Sequence, residues 1–303
     1  MRWWMHATLL SDLAEYGGAF CGDVTIAWTA LVLAGQRPGV DPVAAHFDMQ
    51  TKSLVPVNGE PMLLRVLRTL LHTPGIAKVL VLAQDIDEQM AHPALLALRS
   101  DPRVVALKSG ATISGSVLNA IGRGNTQWPV LVTTADNAML TPETTHEFMR
   151  GLTGQDVAIG LVERSRLEAA CGPSTRTWLR FADGAFTGAN LFALRSARVA
   201  PLLQFWETAE RDRKSMFKLA ARFGPMLLLK ILLRRLTLHA ALAAAGQRLG
   251  LDVSPVLLTD GRMGVDVDKP EDHALVERLL ADHAETSASD MACRPVTLPG
   301  MSA

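Results

Sequence analysis

Residues 30–63 read ALVLAGQRPGVDPVAAHFDMQTKSLVPVNGEPML, and this stretch sets the architecture of the whole chain. It opens with an apolar run ending at Leu33, which predicts a buried strand. A loop follows through Gly35, and a second apolar stretch begins just after Lys52. Because doubly wound α/β sheets bind ligands at the carboxyl ends of their strands, we predict a ligand-binding loop from Leu33 to Lys52.

The composition of this loop suits a polyphosphate ligand. Gly35 lets backbone N–H groups approach phosphate oxygens closely. Arg37 and Lys52 supply positive charge, the arginine through a planar fork and the lysine as a point charge, and we assign both catalytic roles. A surface turn with two solvated cations is the alternative for the loop taken alone. Nucleotide contacts are assigned to Leu33, Ala34, Gly35 and Gln36.

Two familiar nucleotide-binding patterns are missing after this strand. Neither G-x-G-x-x-G nor G-x-x-x-x-G-K-[ST] occurs there. A hydride-transfer enzyme and a P-loop kinase are therefore disfavoured.

Strand and helix patterns alternate along the first half of the chain, which predicts a mostly parallel sheet with helices on both faces. The rhythm changes after Glu163, where 178–195 predicts a strand pair with a turn at Asp183-Gly184. Helix 113–124 is expected to open on a serine cap, and helix 141–152 has Thr141 at its cap. The predicted strands are 24–35, 77–83, 103–108, 128–136, 156–163 and 252–259, and the other helices are 62–73, 92–100 and one from about Pro270.

One domain accounts for most of the chain. We place it at 23–284, after an N-terminal extension at 1–22, with a helical insertion at about 199–250. The Ser/Ala/Pro-rich composition of 285–303 predicts a disordered tail.

Bulk composition excludes several partners. Among 303 residues, 30 Lys and Arg balance 30 Asp and Glu, so no net field attracts nucleic acid. No segment offers about 20 uninterrupted apolar residues, which disfavours a membrane span. Three widely spaced cysteines, without metal-ligand or redox spacing, suit a reducing cytoplasm.

The order of these motifs resembles the MobA-like nucleotidyltransferases, which share a GT-A type fold with isoprenoid-pathway cytidylyltransferases and sugar-phosphate nucleotidyltransferases. That family carries a strand, a loop of type LAGG-x-x-x-R, a lysine and the stretch L-x-P-V-x-G-x-P-M-L. This chain has Leu33-Ala34-Gly35, Arg37, Lys52 and LVPVNGEPML at 54–63. It departs in Gln36, which replaces the second glycine, and in a longer loop before Lys52.

The resemblance implies a Rossmann-like GT-A fold and magnesium-dependent transfer of a nucleotidyl group from a nucleoside triphosphate (NTP). The acceptor would be a phosphorylated small molecule or a lipid-linked phosphate, and pyrophosphate would be released. Two alternatives remain open. A GT-A glycosyltransferase would hold a nucleotide-sugar through a D-x-D motif, which Asp266-Val267-Asp268 spells. A non-catalytic nucleotide- or lipid-binding adaptor could retain the same fold.

Candidate magnesium ligands lie at two points in the chain. Asp136 ends an apolar strand, so its carboxylate is expected at the carboxyl edge of the sheet. The resemblance implies the metal role, and capping of the next turn is the alternative.

The second candidate segment is GVDVDKPEDH at 264–273, which looks like the family's C-terminal motif, D-x-D-T-P-E-D. We predict a strand that turns Asp266 and Asp268 to one side, with either one as the second ligand. Asp268 has the alternative of capping the helix at Pro270.

Two further segments are candidate substrate contacts. ISGSVLNAI at 113–121 resembles a cytidylyltransferase segment, which implies base or ribose contacts for Ser114 and Ser116; ordinary capping serines are the alternative. In TGAN at 187–190, Gly188 allows close approach and Asn190 offers a donor and an acceptor. The resemblance places both in the acceptor pocket, whereas an asparagine bonded to its own strand is the alternative.

The segment 211–235 is both basic and strongly apolar. One hypothesis is peripheral contact with anionic membrane on the cytoplasmic side. The other is a pair of core or homodimer helices with cations at the edge. The cations are Lys214, Lys218, Arg222, Lys230, Arg234 and Arg235.

Overall fold

The computed structural model describes residues 26–36, 39–110, 112–122, 126–174, 176–211, 229–230 and 233–292. Ten strands are described: β1 Trp28–Leu33, β2 Pro56–Val57, β3 Glu60–Pro61, β4 Ile76–Ala83, β5 Val104–Lys108, β6 Val130–Thr134, β7 Val157–Glu163, β8 Leu179–Phe181, β9 Gly184–Leu194 and β10 Val253–Leu257. The main sheet has the order β10-β7-β9-β6-β1-β4-β5, β8 pairs with β9, and β2 and β3 form a small ribbon.

The sheet is mostly parallel, as predicted. β1 pairs in parallel with β4 and β6, and β4 pairs in parallel with β5. β9 is the exception, because it lies antiparallel between β6 and β7. The carboxyl ends of β1, β4 and β6 therefore meet at one edge, where the predicted loop leaves β1.

Helices cover both faces of the sheet. Within the described residues they are α1 Pro42–His46, α2 Met62–His72, α3 Ile86–Met90, α4 Leu96–Arg99, α5 Ile113–Gly122, α6 Pro142–Arg150, α7 Arg164–Cys171, α8 Ala200–Arg211, α9 Leu238–Gln247 and α10 Pro270–Ala292. Short 3-10 turns span Lys52–Leu54, Pro93–Leu95, Ala197–Val199 and Gly261–Gly264.

Alternation along β1 supplies both halves of the core. Ala30 and Val32 join a cluster that includes residues of α2, α3, α6 and α7. Leu31 faces the other way, into a cluster with residues of α5 and α8. Because both faces of β1 are covered, every residue from Trp28 to Val32 is buried. The sequence of the strand is therefore mainly apolar and does not alternate between apolar and polar residues.

Two sequence expectations about a turn and a helix cap are corrected, and one about a helix cap is confirmed. The β8–β9 turn lies at Ala182-Asp183, because Gly184 already pairs with Phe181. Helix α5 begins at Ile113, and the cap is Thr112, whose Oγ1 accepts a hydrogen bond from the N–H of Gly115 at 3.1 Å. The expected serine cap is therefore wrong. Helix α6 does begin after Thr141, which forms a capping box with Thr144.

The segment around Asp266 and Asp268 is not a strand. It is an irregular stretch between a 3-10 turn and α10, and it pairs with none of the described strands. Its burial still alternates as predicted, because Val265 and Val267 are fully buried. Here the alternation reflects packing of two valines against a small core, where Val276 of α10 is also buried.

The loop between Gly39 and Lys52 is ordered by α1 rather than left open. Asp41 caps this helix by accepting from the N–H groups of Val43 and Ala44. Val43 and Phe47 then pack in the same small core as Val276 of α10. The long excursion in the loop is therefore attached to the last helix. That helix runs to Ala292 and so includes the first residues of the expected tail; residues 293–303 lie outside the description.

We predict that Gly261→Ala destabilises the fold strongly. Gly261 is buried, and a Cβ there would overlap the main-chain carbonyl of Arg166 in α7. Backbone must then shift, so we expect a loss of about 3 kcal/mol in the free energy of unfolding, measured by urea denaturation. Gly122→Ala is the control, because a Cβ there meets no atom of the described residues within 4 Å. Equal midpoints for the two variants would contradict the prediction.

Candidate active site

The ammonium group of Lys52 joins two of the predicted acids. Its Nζ lies 2.6 Å from Asp136 Oδ2 and 2.9 Å from Asp268 Oδ1. Lys52 starts the 3-10 turn after the loop, Asp136 lies two residues beyond β6, and Asp268 precedes α10. Three segments that are distant in the chain thus converge at the carboxyl edge of the sheet.

Charge and burial act against each other at this centre. Burial disfavours the charged form of Lys52, yet the carboxylates of Asp136 and Asp268 outweigh burial and raise the pKa of the ammonium above its ordinary value. Burial would also raise the pKa of Asp268, but the hydrogen bond and charge of Lys52 hold that pKa below its usual value. Both groups are therefore held in their charged forms at neutral pH.

Asp266 faces a different set of partners. The guanidinium of Arg176 donates to its Oδ1, and Asn190 Nδ2 donates to its Oδ2 at 3.3 Å. Burial raises the pKa of Asp266, and the nearby carboxylates of Asp268 and Asp136 raise it further, against the opposing effect of Arg176. Both oxygens of Asp266 are thus engaged within the chain, whereas Asp136 bonds to Lys52 through Oδ2 only and its Oδ1 has no hydrogen-bond partner among the described residues.

Arg176 was not among the residues predicted from sequence. Its Nη2 also donates to the main-chain oxygen of Asp266 at 2.9 Å and to Asp272 Oδ1 at 3.0 Å. It lies in the segment GPSTRTW between α7 and β8, where no periodicity or motif marks it. Only the packed structure reveals this contact.

Asn190 and Gly188 occupy an irregular part of β9. The register against β7 shifts there, since Ile159 pairs with Phe192 and Leu161 pairs with Gly188. Asn190 has φ of +50°, a left-handed conformation that asparagine tolerates better than most residues. Bulges of this kind redirect side chains beside functional sites. Here the irregularity brings the Asn190 amide to Asp266 and leaves Gly188 exposed.

The start of the predicted phosphate loop is held by Gln84, which follows β4. Its Oε1 accepts from the N–H of Gln36 at 3.0 Å, and its Nε2 donates to the carbonyl of Gln36 at 3.1 Å. Gln36 in turn donates through Nε2 to the carbonyl of Gln50 at 2.9 Å. The side chain that replaces the family's second glycine therefore closes the long loop near Lys52. Arg37 lies outside the described residues.

A buried glutamine connects the two ends of this loop. Gln89 accepts from Ser53 Oγ at 2.9 Å and donates to the carbonyl of Ala34 at 3.3 Å. Ala34, next to Leu33 at the end of β1, and Ser53, next to Lys52, are thereby tied to one side chain that is 2% exposed. A half-satisfied polar group in that position would be costly, so the bridge holds Lys52 at the sheet edge.

The two serines of α5 are buried in its first turn. Ser116 Oγ donates to the carbonyl of Thr112 at 2.6 Å and accepts from the N–H of Gly110 at 2.9 Å. Its hydroxyl is thus engaged in shaping the turn after β5. Ser114 is also buried, at 1% exposure. Their contact with a nucleotide stays a prediction.

The acids and bases of this site fit a divalent cation. Lys52 and Arg176 bring two positive charges to four aspartates, at 136, 266, 268 and 272, which leaves a formal charge of −2. Asp136 Oδ1 is buried and has no hydrogen-bond partner among the described residues. Within the described ranges no three His, Cys, Asp or Glu side chains form a ready metal cage. Mg²⁺ does not need one, because it usually binds one or two carboxylates together with water and substrate phosphates.

Comparison with known proteins identifies the family. A family model described as the MobA-like NTP transferase domain matches residues 30–248. The match includes Lys52, Asp136 and Arg176 and ends before Asp266 and Asp268, so the assignment of those two aspartates depends on the geometry. None of the curated proteins matches the sequence.

Solved structures share the fold. A hypothetical transferase from Thermus thermophilus is 27% identical, with a TM-score of 0.69, and the alignment covers 82% of this chain and 100% of that one. A 4-diphosphocytidyl-2C-methyl-D-erythritol synthase from Anaerococcus prevotii is 11% identical, with a TM-score of 0.52 and coverages of 85% and 97%. A CMP:2-keto-3-deoxy-manno-octonic acid synthetase solved with CTP is 16% identical, with a TM-score of 0.52 and coverages of 85% and 99%. The predicted Rossmann-like nucleotidyltransferase fold is confirmed.

Proposed function

This chain belongs to the MobA-like NTP transferase family, and from that premise we propose that it moves a nucleotidyl group from an NTP to a phosphorylated acceptor. An acceptor phosphate oxygen attacks the α-phosphorus, the bond to the bridging oxygen breaks, and pyrophosphate leaves. The observation that carries this proposal is the contact of Lys52 with both Asp136 and Asp268. It brings the cation of the loop and two acids to one point.

Lys52 and the two acids have complementary roles in this proposal. Lys52 neutralises negative charge that spreads over the phosphates during transfer, and Arg37 is proposed to assist it from the loop. The main chain from Leu33 to Gln36 lies against the nucleotide, with Ser114 and Ser116 near the base or ribose. The N–H of Gln36 is already bonded to Gln84. We therefore propose that the N–H of Gly35, rather than that of Gln36, approaches a phosphate oxygen.

We assign the magnesium ion to Asp136 and Asp268. Asp136 contributes a buried oxygen that no described residue contacts by a hydrogen bond, and Asp268 is the acid that shares Lys52 with it. Asp266 is the weaker candidate, since Arg176 and Asn190 occupy both of its oxygens. When bound, magnesium neutralises charge on the phosphates of the nucleotide.

The D-x-D geometry favours this function over a glycosyltransferase. Both oxygens of Asp266 are bonded to Arg176 and Asn190, so Asp266 is not free to join Asp268 in holding a nucleotide-sugar. The contact of Lys52 with two acids likewise favours an enzyme over a non-catalytic adaptor, because it gathers the charges that nucleotidyl transfer requires.

Pyrophosphate release tests the proposal. The protein is first screened for thermal stabilisation by CTP, GTP, ATP and UTP with Mg²⁺, because a ligand that binds only the native state raises the melting temperature. The stabilising nucleotide is then incubated with phospho-alcohols and phospho-sugars. We expect acceptor-dependent pyrophosphate. Nucleotide binding without pyrophosphate across the whole set would favour the adaptor, and transfer from a nucleotide-sugar would favour the glycosyltransferase.

We predict that Gly188→Ala weakens acceptor binding without affecting stability. A Cβ at this exposed position meets no atom within 4 Å in the part of the chain that the structure describes, so we expect the fold to tolerate it. If Gly188 and Asn190 line the acceptor pocket, the methyl group intrudes on the acceptor, and its KM should rise by about tenfold at an unchanged melting temperature. An unchanged acceptor KM would remove Gly188 from the pocket.

The segment 211–235 is proposed to bring the protein to anionic membrane. Most of this segment lies outside the described residues. In the part of the chain that is described, no helix is both long and apolar enough to cross a bilayer. We expect more protein to sediment with anionic than with neutral liposomes at low salt, since exposed basic residues attract anionic headgroups. Equal recovery in both supernatants would contradict this, and a dimer in solution would then support the alternative of subunit packing.

A further inference from the structure

Arg176 contacts one residue before and one residue after the proposed magnesium ligand Asp268. Through Nη1 and Nη2 it bonds to the carboxylate and carbonyl of Asp266 and to Asp272 Oδ1. Asp266 is two residues before Asp268, and Asp272 lies in the first turn of α10. One guanidinium therefore holds the closing segment, which we define as residues 265–272, on both sides of Asp268.

Asp268 itself has little packing to hold it. Its side chain is 61% exposed, whereas Asp136 is 19% exposed. Its main-chain N–H donates to Asp272 Oδ2 at 3.2 Å, and the N–H of Lys269 donates to the same oxygen at 3.1 Å. Oδ2 of Asp272 thus holds the backbone of Asp268, while Arg176 holds Oδ1 of the same Asp272 carboxylate. Asp268 is therefore held through its backbone by this chain of contacts and through its side chain by Lys52.

We propose that Arg176 is a positioning residue for the divalent-cation site, which keeps Asp268 beside Asp136 by fixing the closing segment. The proposal rests on the proposed function, in which those two acids hold the cation. A planar guanidinium suits the role, because it reaches three acceptors at fixed angles, which an ammonium cannot do. Residues that orient metal ligands from outside the ligand shell contribute strongly to metal affinity.

A merely structural ion pair would behave differently. Its loss would lower the stability of the whole fold and leave the cation affinity of the folded protein unchanged. Arg262 supplies the matched control, since its guanidinium bonds to Asp260 at 2.8 Å and is 23% exposed, against 18% for Arg176. Removing either guanidinium breaks a comparable pair, but only Arg176 contacts the closing segment through Asp266 and Asp272.

The test measures Mn²⁺ binding and amide hydrogen exchange in the full chain. Mn²⁺ alone is titrated by electron paramagnetic resonance into wild type, Arg176→Gln, Arg176→Lys and Arg262→Gln, at a temperature where each is folded. We expect Arg176→Gln to weaken Mn²⁺ binding by about tenfold or more. Exchange in the closing segment should accelerate in this variant, while exchange in β1 stays unchanged. Arg176→Lys should be intermediate, and Arg262→Gln should match wild type in both measurements.

Wild-type Mn²⁺ affinity and wild-type exchange in a folded Arg176→Gln protein would overturn the proposal, as would a wild-type protein that binds no Mn²⁺. If Arg176→Gln does not fold, Arg176→Lys decides by the same two measurements. Turnover separates this proposal from the proposed function. If Arg176→Gln loses Mn²⁺ binding and wild type releases no pyrophosphate, the positioning role is supported and nucleotidyl transfer is refuted. If wild type releases pyrophosphate and Arg176→Gln binds Mn²⁺ as wild type does, nucleotidyl transfer is supported and the positioning role is refuted.

Discussion

Lys52→Gln is expected to lower the rate of pyrophosphate release by about 10³-fold while leaving divalent-cation binding no weaker than in wild type. The rate of pyrophosphate release and the affinity for a divalent cation should respond differently, because Lys52 contacts both proposed cation ligands. Its ammonium group bonds to Asp136 and Asp268, so its removal frees those carboxylates. The same change takes away the positive charge proposed to stabilise the phosphates during transfer.

The measurement combines a coupled pyrophosphate assay with Mn²⁺ titration. Lys78→Gln is the control, because Lys78 lies near the amino end of β4, at the opposite edge of the sheet from the site. Its turnover should equal that of wild type. A Lys52→Gln enzyme with wild-type turnover would refute the catalytic role, and weaker Mn²⁺ binding would show that Lys52 supports the cation site rather than competing with a cation.

Asp136→Asn is expected to lower both turnover and Mn²⁺ affinity by more than about 100-fold. Asparagine keeps the size of the side chain and removes its charge, so a cation loses a carboxylate ligand whose buried Oδ1 has no hydrogen-bond partner within the described part of the chain. Lys52 retains Asp268 as a partner at 2.9 Å, and the variant should therefore remain folded.

Turnover, Mn²⁺ affinity and the urea midpoint are measured on the same preparation. Asp101→Asn is the control, because Asp101 pairs with Arg103 on the surface. Surface changes of this kind alter the free energy of unfolding by no more than about 0.5 kcal/mol. A folded Asp136→Asn protein that binds Mn²⁺ like wild type would exclude Asp136 from the cation site.

Much of the architecture was predictable from local patterns. The apolar run ending at Leu33, the helix after Pro61 and the capped helix after Thr141 lie where their residues predict them. The sheet is mostly parallel for the same reason, since alternating strands and helices admit few other arrangements. The insertion of β9 between β6 and β7 was not predicted, because strand order depends on contacts between distant segments.

The predicted site was partly assembled by the same logic. Lys52 and Asp136 were expected at the carboxyl edge of the sheet, and the structure places them 2.6 Å apart. The choice between Asp266 and Asp268 was open, because a strand would have turned both acids the same way. In the structure that segment is irregular, and the two acids have different partners.

Local sequence was sufficient for the loop, its lysine and the acid after β6, because side-chain periodicity and the ends of parallel strands follow from short-range chemistry. Tertiary packing alone decided that Lys52 meets residues 84 and 216 positions away, that Arg176 holds the segment around Asp268, and that Gln36 closes the long loop. Those contacts depend on how separate elements pack against each other. A polar side chain in an irregular segment carries no periodicity that could indicate its partner.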